Sequence, residues 1–316
     1  MAKTSGLGDN FYIGGFDLSG DIASMDQISG GPALIEATAI KQSAEARIFG
    51  LRDGSLKFTT LFENVPSIST PGVPLTTVPV TNTTGFPVLV TITGGTITFV
   101  FVNGTQVGTT AGTYPVPIGG TISITFSAAP TWNWFSLGEE HNALGPLPRT
   151  DVTCMYARGT ALGNPAFCIV GPQLNYDGTR DNKGSLTFQV EVDGDGFGGD
   201  WCTLLTAGLR TDTAATAGAF IDQGAPSAFG AQAYVELIDL VGTNIDIAIQ
   251  HATTSGGAYS NLIDFGSMTS YPKAARGSVS NSTTVNEFIK ITTTGTFSYA
   301  TFAVAMNRNQ IAGVTF

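Results

Sequence analysis

The sequence predicts a mostly β protein with a barrel or sandwich domain, a small inserted sandwich, a C-terminal sandwich and one or two short helices. The chain of 316 residues has 40 glycines and 15 prolines, and only 12% of its residues are charged. Short runs of β-branched and aromatic residues alternate with threonine and glycine. This pattern is typical of half-buried strands joined by tight turns.

The first predicted elements are a short helix and a strand. Residues 41–50 (KQSAEARIFG) place apolar side chains at helical spacing, with Ser43 as a candidate N-cap and Gly50 as a stop. A charged turn at Arg52-Asp53 should follow. From residue 55 to 62 the side chains alternate, so that Leu56 and Phe58 face away from Lys57 and Thr59.

Residues 64–138 form a run of 75 residues without Asp, Glu, Lys, Arg or His. Within it, glycine-containing turns at 94–95, 103–104 and 119–120 separate alternating β-branched and aromatic runs. We therefore expect an uncharged β-sandwich module, residues 64–144, inserted into another domain. Insertion at a surface loop is well tolerated.

The segment Thr179–Asp193 resembles the earlier segment Leu51–Glu63, because both contain Arg-Asp followed by Gly-Ser-Leu and, two residues later, Phe. Each is expected to form a charged turn and then a strand. In the second copy the alternation places leucine, phenylalanine and valine side chains on one face and polar side chains on the other. The polar set there is Thr187, Gln189 and Glu191, and the apolar set is Leu186, Phe188, Val190 and Val192.

A second short helix is expected at residues 200–208, with Asp200 as its cap and Gly208 as its end. From about residue 231 the chain reads as a meander, with hairpin turns near Gly242 and at Thr294-Gly295. This part predicts a C-terminal β-sandwich, residues 226–316.

The composition also bears on function. A net charge of −10 argues against a surface that grips nucleic-acid phosphates. The three cysteines have no spacing typical of a zinc site, which favours buried free thiols in a reducing compartment. No run approaches the ~20 apolar residues of a membrane span, and the N-terminal sequence lacks the apolar segment of a secretory signal.

The sequence has no catalytic motif, and we expect no enzyme activity and no cofactor. It contains only His141 and His251, with no GxSxG pattern. The acidic loop 193–200 departs from a calcium-binding loop at its fifth and twelfth places, so no metal site is expected. Trp132 and Trp134 lie two residues apart; they could form a surface that stacks on glycans, but closing the core of a sandwich is the favoured interpretation.

Three stretches outside the uncharged module carry a family resemblance. They are GLGDNFYIGGFDLSGDIASMDQISGGPALIEATAI with RIFGLRDGSLKF, then LPRTDVTCMYARGTALGNPAFCIVGPQLNYDGTRDNKGSLTF, and LLTAGLRTDTAATAGA. This pattern resembles the major tail (tail tube) proteins of long-tailed, non-contractile phages of actinobacteria. The module, with TNTTGFPVLVTITGG and APTWNWF near its ends, resembles small β-sandwich decorations of phage virion proteins.

The resemblance implies a structural protein of the virion tail, assembled in the host cytoplasm. Residues 1–63 and 145–225 would form a tube domain whose strands join across subunits into stacked rings, usually hexameric, around a lumen that conducts DNA. Its partners would be further copies of itself and tail proteins such as the tape measure and terminator, with no membrane. Capsid decoration or a distal tail, receptor-binding role is the alternative.

If the strands 55–62 and 185–192 belong to this shared barrel, their polar sides would line the lumen. That expectation assigns five residues to the lumen: Lys57, Thr59, Thr187, Gln189 and Glu191. The opposite, apolar sides would then pack under the outer layer of the subunit.

Overall fold

A computed structural model of the chain describes residues 8–38, 41, 44–62, 69–84, 88–117, 119–136 and 139–310. These residues form one large sheet of fifteen strands and two small sheets of four and three strands. The predicted mostly β class is confirmed. Within the described residues the large sheet is branched and open, and it does not close into a barrel.

In chain order the elements are β1 (Asn10–Ile13), β2 (Phe16–Asp17), β3 (Ile22–Glu36), β4 (Arg47–Leu61), β5 (Val80–Thr81), β6 (Val88–Thr93), β7 (Thr96–Val102), β8 (Thr105–Gly108), β9 (Gly112–Val116), β10 (Thr121–Ala128), β11 (Thr131–Ser136), α1 (Glu139–Leu144), β12 (Arg149–Ala157), β13 (Pro165–Gln173), β14 (Asp177–Arg180), β15 (Leu186–Asp193), β16 (Gly199–Leu204), β17 (Arg210–Asp212), β18 (Ala217–Asp222), β19 (Ala231–Ala252), β20 (Ser260–Met268), β21 (Lys273–Val279) and β22 (Phe288–Arg308).

The large sheet runs in the order β2-β1-β12-β13-β16-β22-β19-β20, with the other strands attached to this path. Its longest elements are the antiparallel pair β19–β22, which is interrupted by bulges near residues 238 and 243. The hairpin turns predicted near Gly242 and at Thr294-Gly295 are wrong, because both positions lie inside these continuous strands. Side chains from both halves of this pair, such as Leu237 and Ile247, pack into a single core. Both halves of the pair therefore contribute to the same core.

A second core lies between the N-terminal strands and the strands that follow α1. Phe11, Leu56, Phe58, Phe167 and Val190 are fully or almost fully buried in it. A third cluster, around Tyr234 and Cys168, joins this part of the molecule to β19 and β22. In addition, β17 and β18 pair with β22, so hydrogen bonds cross the boundary predicted at residue 225.

The seven strands β5–β11 share no strand pairing with the large sheet within the described residues. They form the sheets β5-β10-β7-β8 and β11-β6-β9, which enclose a core of their own. That core also takes in Val241 of β19 and the half-buried Tyr299 of β22. Thr105 and Ser298 are joined by a hydrogen bond of 3.0 Å between their hydroxyls, which links the module to the large sheet.

Both helix predictions fail where the structure describes them. Residues 39–40 and 42–43, including the proposed cap Ser43, lie outside the described residues, and Arg47–Leu61 is strand. Gly199–Leu204 is also strand and pairs with β13, and Asp200 accepts hydrogen bonds from side chains of other strands instead of capping a helix. The helix that the described residues do form, α1, lies in a segment for which the sequence predicts none.

The two similar segments differ in local structure. Arg52-Asp53-Gly54 lies within the continuous strand β4, so the predicted first turn is wrong. In the second copy Arg180 ends β14, and residues 181–185 do form the turn into β15. The strands of the two copies pair with each other, with Lys57 opposite Glu191 and Thr59 opposite Gln189.

Candidate assembly interface

A polar face runs across the sheet β3-β4-β15-β14 and contains all five residues assigned to the lumen. In an antiparallel pair, residues directly opposite each other project to the same side. The cross-strand partners Lys57 and Glu191, and likewise Thr59 and Gln189, therefore share one side. Thr187 lies two residues before Gln189 on β15, so it projects to this side as well.

The polar face is held by short-range contacts and is acidic on balance. The Lys57 Nζ lies 2.6 Å from the Glu191 Oε1, and the Thr59 hydroxyl donates to Asp26 at 2.8 Å. The hydrogen bond to Glu191 is the main cause that raises the pKa of Lys57, which therefore stays protonated. Asp193, near the end of this face, has a raised pKa chiefly because it is partly desolvated.

The opposite side of the same strands is apolar, as the alternation predicts, but it is buried to different depths. Leu56, Phe58 and Val190 are inside the second core, with the Phe58 ring 4.7 Å from that of Phe11. Phe188 is only half-buried, and it stacks on Tyr176 at 4.0 Å between ring centroids. The core therefore lies under the part of β15 that follows Phe188.

The distal part of the β3–β4 hairpin, residues 32–38 and 44–53, forms an arm that leaves the body of the protein. From Arg47 to Asp53, β4 pairs only with β3, and the side chains described from Pro32 to Thr38 are all exposed. Leu51 is 88% exposed and Ile35 49% exposed. A two-stranded ribbon alone is marginally stable in water, so this arm is suited to packing against another surface.

Three glycines allow the base of the arm to cross β16 at close range. Gly30 and Gly54 are cross-strand partners, and both lie against Gly199. A Cβ on Gly54 would come within 2.4 Å of the Gly199 backbone nitrogen, and one on Gly30 within 2.3 Å of its carbonyl oxygen. Real Cβ atoms do not approach so closely, so any larger residue would displace the arm.

A charged network fixes the arm beside this crossing. The Arg52 guanidinium on β4 donates to the Asp200 carboxylate on β16. Gln232 also donates to Asp200, and Asn307 does so at 3.0 Å. Burial raises the pKa of Asp200, whereas Arg52 and the other donors oppose that rise. The network is completed by Arg276, which donates to Gln232 at 2.8 Å.

Two edges of the polar sheet are open. β3 pairs with β4 and β14 pairs with β15, and within the described strands neither has a partner on its other side. An open edge presents unpaired backbone N–H and C=O groups, which another chain can extend. Both edges are therefore suited to pairing with a strand from another chain.

Trp132 and Trp134 are in the core of the module. They are 7% and 3% exposed, and their rings meet edge to face with centroids 5.6 Å apart. The Trp132 indole N–H donates to the Pro71 carbonyl at 2.7 Å. The two side chains therefore close the core of the module, which is the interpretation that the sequence favoured, and they offer no exposed stacking platform for a glycan.

The two histidines, His141 and His251, have different hydrogen-bond partners. His141 contacts the Tyr176 hydroxyl at 3.3 Å, whereas His251 accepts from the Asn286 backbone N–H at 3.1 Å. Burial lowers the pKa of His251. Among the described residues, no group of three or more His, Cys, Asp or Glu side chains is arranged to hold a metal ion.

No family model matches this chain, and no curated protein or solved structure shows a significant match to it. In the described part of the chain, no helix is both long enough and apolar enough to span a membrane.

Sequence reasoning identified the polar face but missed the arm and the crossing beneath it. The alternation in β4 and β15 was visible because the side-chain period of a strand is two. The arm was hidden because residues 41–50 also match a helical pattern. The available signal was Gly30 and Gly54 within two otherwise extended segments, since glycine inside a strand often marks close backbone approach.

Proposed function

We propose that this protein is a structural virion protein, the repeating subunit of a non-contractile phage tail tube. Copies would join into rings, hexameric in the family that the sequence resembles, and the rings would stack around a lumen through which DNA passes. The resemblance in sequence supports the family. The exposed arm is the structural observation that carries self-assembly.

The arm favours association because its burial would remove exposed apolar surface from water. Among the described side chains of the arm, Leu51 and Ile35 are large, apolar and exposed, and burying a leucine or isoleucine contributes roughly 1.5–3 kcal/mol. The anchored base, with Arg52 bonded to Asp200, limits the freedom that the arm loses on docking. A repeated contact of this kind between identical subunits builds rings or tubes.

The polar face suits the lumen of such a tube. It carries Glu191, Asp26 and Asp193 against Lys57, so its balance is negative. DNA phosphates would be repelled weakly, and the described residues of this face include no cluster of Lys or Arg to hold them. Open edges on β3 and β14 would let the sheet extend across subunits.

Negative-stain electron microscopy and light scattering of the concentrated full chain test this proposal. The wild type should form rings or tubes, whereas Leu51→Asp should remain largely monomeric. Leu75→Asp is the matched control, because Leu75 is 80% exposed but lies in the module. A wild type that stays monomeric at high concentration, or Leu51→Asp assembling as well as the wild type, would contradict the proposal.

Capsid decoration or a distal tail, receptor-binding role is the second candidate. The module favours it, because seven strands with a separate core are presented outside the large sheet. In that case the same microscopy should show particles of one fixed size, with no stacking into tubes.

A further inference from the structure

A cleft of about 480 Å³ lies where the module meets the large sheet. One wall comes from β8 and β9 of the module, including Gln106, Thr113 and Tyr114. The other comes from the bulge in β19 and the turn between β20 and β21, including Thr243 and Thr269. Its volume is within the range of about 300–1,000 Å³ that is usual for small-ligand sites.

The chemistry of the lining is distinctive. The floor is apolar, formed by the buried side chains of Val102, Leu240 and Val241. The walls carry the hydroxyls of threonine, serine and tyrosine and the amide of Gln106, and no lining residue has a formal charge. An apolar floor under neutral hydrogen-bonding groups suits a ligand with apolar faces and many hydroxyls.

Two other clefts in the described part of the chain differ in this respect. One, beside the base of the arm, is lined by Asp53, Glu191 and Asp193. The other includes Asp9, which accepts a hydrogen bond from Tyr156. Both would favour cationic or water-filled contacts over a neutral ligand. Of these three clefts, the one between the module and the large sheet is therefore best suited to a neutral ligand.

The walls of this cleft are held in place by packing. The hydrogen bond between the Thr105 and Ser298 hydroxyls ties β8 to β22, and Val241 is part of the core of the module. Tyr114 is fixed because its hydroxyl donates to the Thr110 carbonyl at 2.6 Å. A site whose walls are fixed before binding loses less conformational entropy when a ligand enters.

We propose that this cleft binds a neutral saccharide, with the sugar rings against the floor and their hydroxyls bonded to the walls. The site is independent of the buried pair Trp132 and Trp134. It also goes beyond the proposed function, because a saccharide site on the module side of the subunit would serve attachment whether or not the protein forms a tube.

Affinity electrophoresis of the full chain tests the proposal, with gels that contain dextran, mannan, galactomannan or arabinogalactan. At least one of these neutral polysaccharides should retard the wild type. Thr269→Trp, which fills the exposed edge of the cleft, should weaken that retardation at least tenfold. Gln106→Ala, which removes the amide, should weaken the retardation severalfold while leaving the apolar floor unchanged.

Thr253→Trp is the control, since Thr253 is also exposed but lies in the turn between β19 and β20. It should be retarded like the wild type. The proposal is overturned if none of the four polysaccharides retards the wild type, or if Thr269→Trp and Thr253→Trp behave alike. Either result leaves the assembly test with Leu51→Asp unaffected.

Discussion

Arg52 and Asp200 form an ion pair that joins two strands 148 positions apart in the sequence. Arg52 belongs to β4, at the base of the arm, and Asp200 belongs to β16. The pair lies beside the glycine crossing, where neither strand has room for an apolar side chain between them. Electrostatics therefore holds the arm at a point where side-chain packing cannot.

Replacing Arg52 by leucine should destabilise the protein by about 2–4 kcal/mol at pH 7, because Asp200 would keep a buried charge without its cation. Without Arg52 the pKa of Asp200 should rise further. A carboxyl whose pKa is raised in the folded state lowers the free energy of unfolding as the pH increases above the ordinary pKa of 3.8. The loss of stability caused by Arg52→Leu should therefore shrink towards pH 4. Urea unfolding at both pH values measures it.

Two variants check this explanation. Arg52→Leu combined with Asp200→Asn should recover much of the loss at pH 7, since the uncompensated charge is removed. Arg47→Leu should change stability little, because Arg47 and Glu45 form an exposed pair. Equal losses in Arg47→Leu and Arg52→Leu would show that the network around Asp200 is not the cause.

Glu236 should make the protein less stable as pH rises. Its side chain is completely buried on β19, where it accepts a hydrogen bond of 2.6 Å from the Gly15 backbone N–H. Burial raises its pKa well above the usual 4.5, although Arg149 and the Gly15 N–H oppose this. The unfolded chain loses the proton near pH 4.5 and the folded one only at higher pH, so stability declines across that interval.

Glu236→Gln keeps the shape and an acceptor for Gly15, but it has no proton to lose. It should unfold at a higher temperature than the wild type at pH 7.5, by the equivalent of about 1 kcal/mol or more, with the difference vanishing near pH 4.5. Thermal unfolding followed by circular dichroism measures this. Glu45→Gln, at an exposed position, is the control. A lower unfolding temperature for Glu236→Gln at pH 7.5 would contradict the assignment.

Phe58 and Phe188 occupy corresponding places in the two similar segments but should differ in their contribution to stability. Phe58 is 0% exposed, and truncating it to alanine should cost about 3–5 kcal/mol. Phe188 is half-buried against Tyr176, so Phe188→Ala should cost roughly 1–2 kcal/mol. Denaturant midpoints of the two variants give the comparison, and a cost for Phe188→Ala equal to that of Phe58→Ala would place both in one core.

The difference between these two phenylalanines shows how far the sequence could be read. Alternation predicts which side of β4 and β15 each residue faces, and the paired strands follow it. It does not predict depth, because depth depends on which elements cover the sheet. The core covers Val190, whereas Phe188 is covered by Tyr176 from the segment before β14.

The failed helix predictions have a related cause. Asp200 and Gly208 are equally compatible with the cap and end of a helix and with a strand and its following turn. The partners of Asp200, namely Arg52, Gln232 and Asn307, come from three distant parts of the sequence. No local pattern contains that information. The cleft between the module and the large sheet was hidden for the same reason, since its two walls are more than 100 residues apart.

If the polar face lines the lumen of the proposed tube, adding positive charge to it should slow the passage of DNA while leaving assembly intact. Gln189 is exposed and Thr187 is half-exposed, and the Thr187 hydroxyl makes a long bond of 3.4 Å to the Thr179 carbonyl. Lysine at both positions can therefore be accommodated without burying a charge. Each ring would then present two additional rows of cations, which attract phosphates and release their counterions.

Virions carrying Thr187→Lys with Gln189→Lys should have tails of normal length but eject DNA several times more slowly, with the wild-type rate returning as the salt concentration increases. Lysines at Thr253 and Thr254 are the control, because they add the same charge at exposed positions in the turn after β19. If both pairs of lysines slow ejection equally, or if tails of normal length eject at the wild-type rate, then Lys57, Thr59, Thr187, Gln189 and Glu191 do not line the path of the DNA.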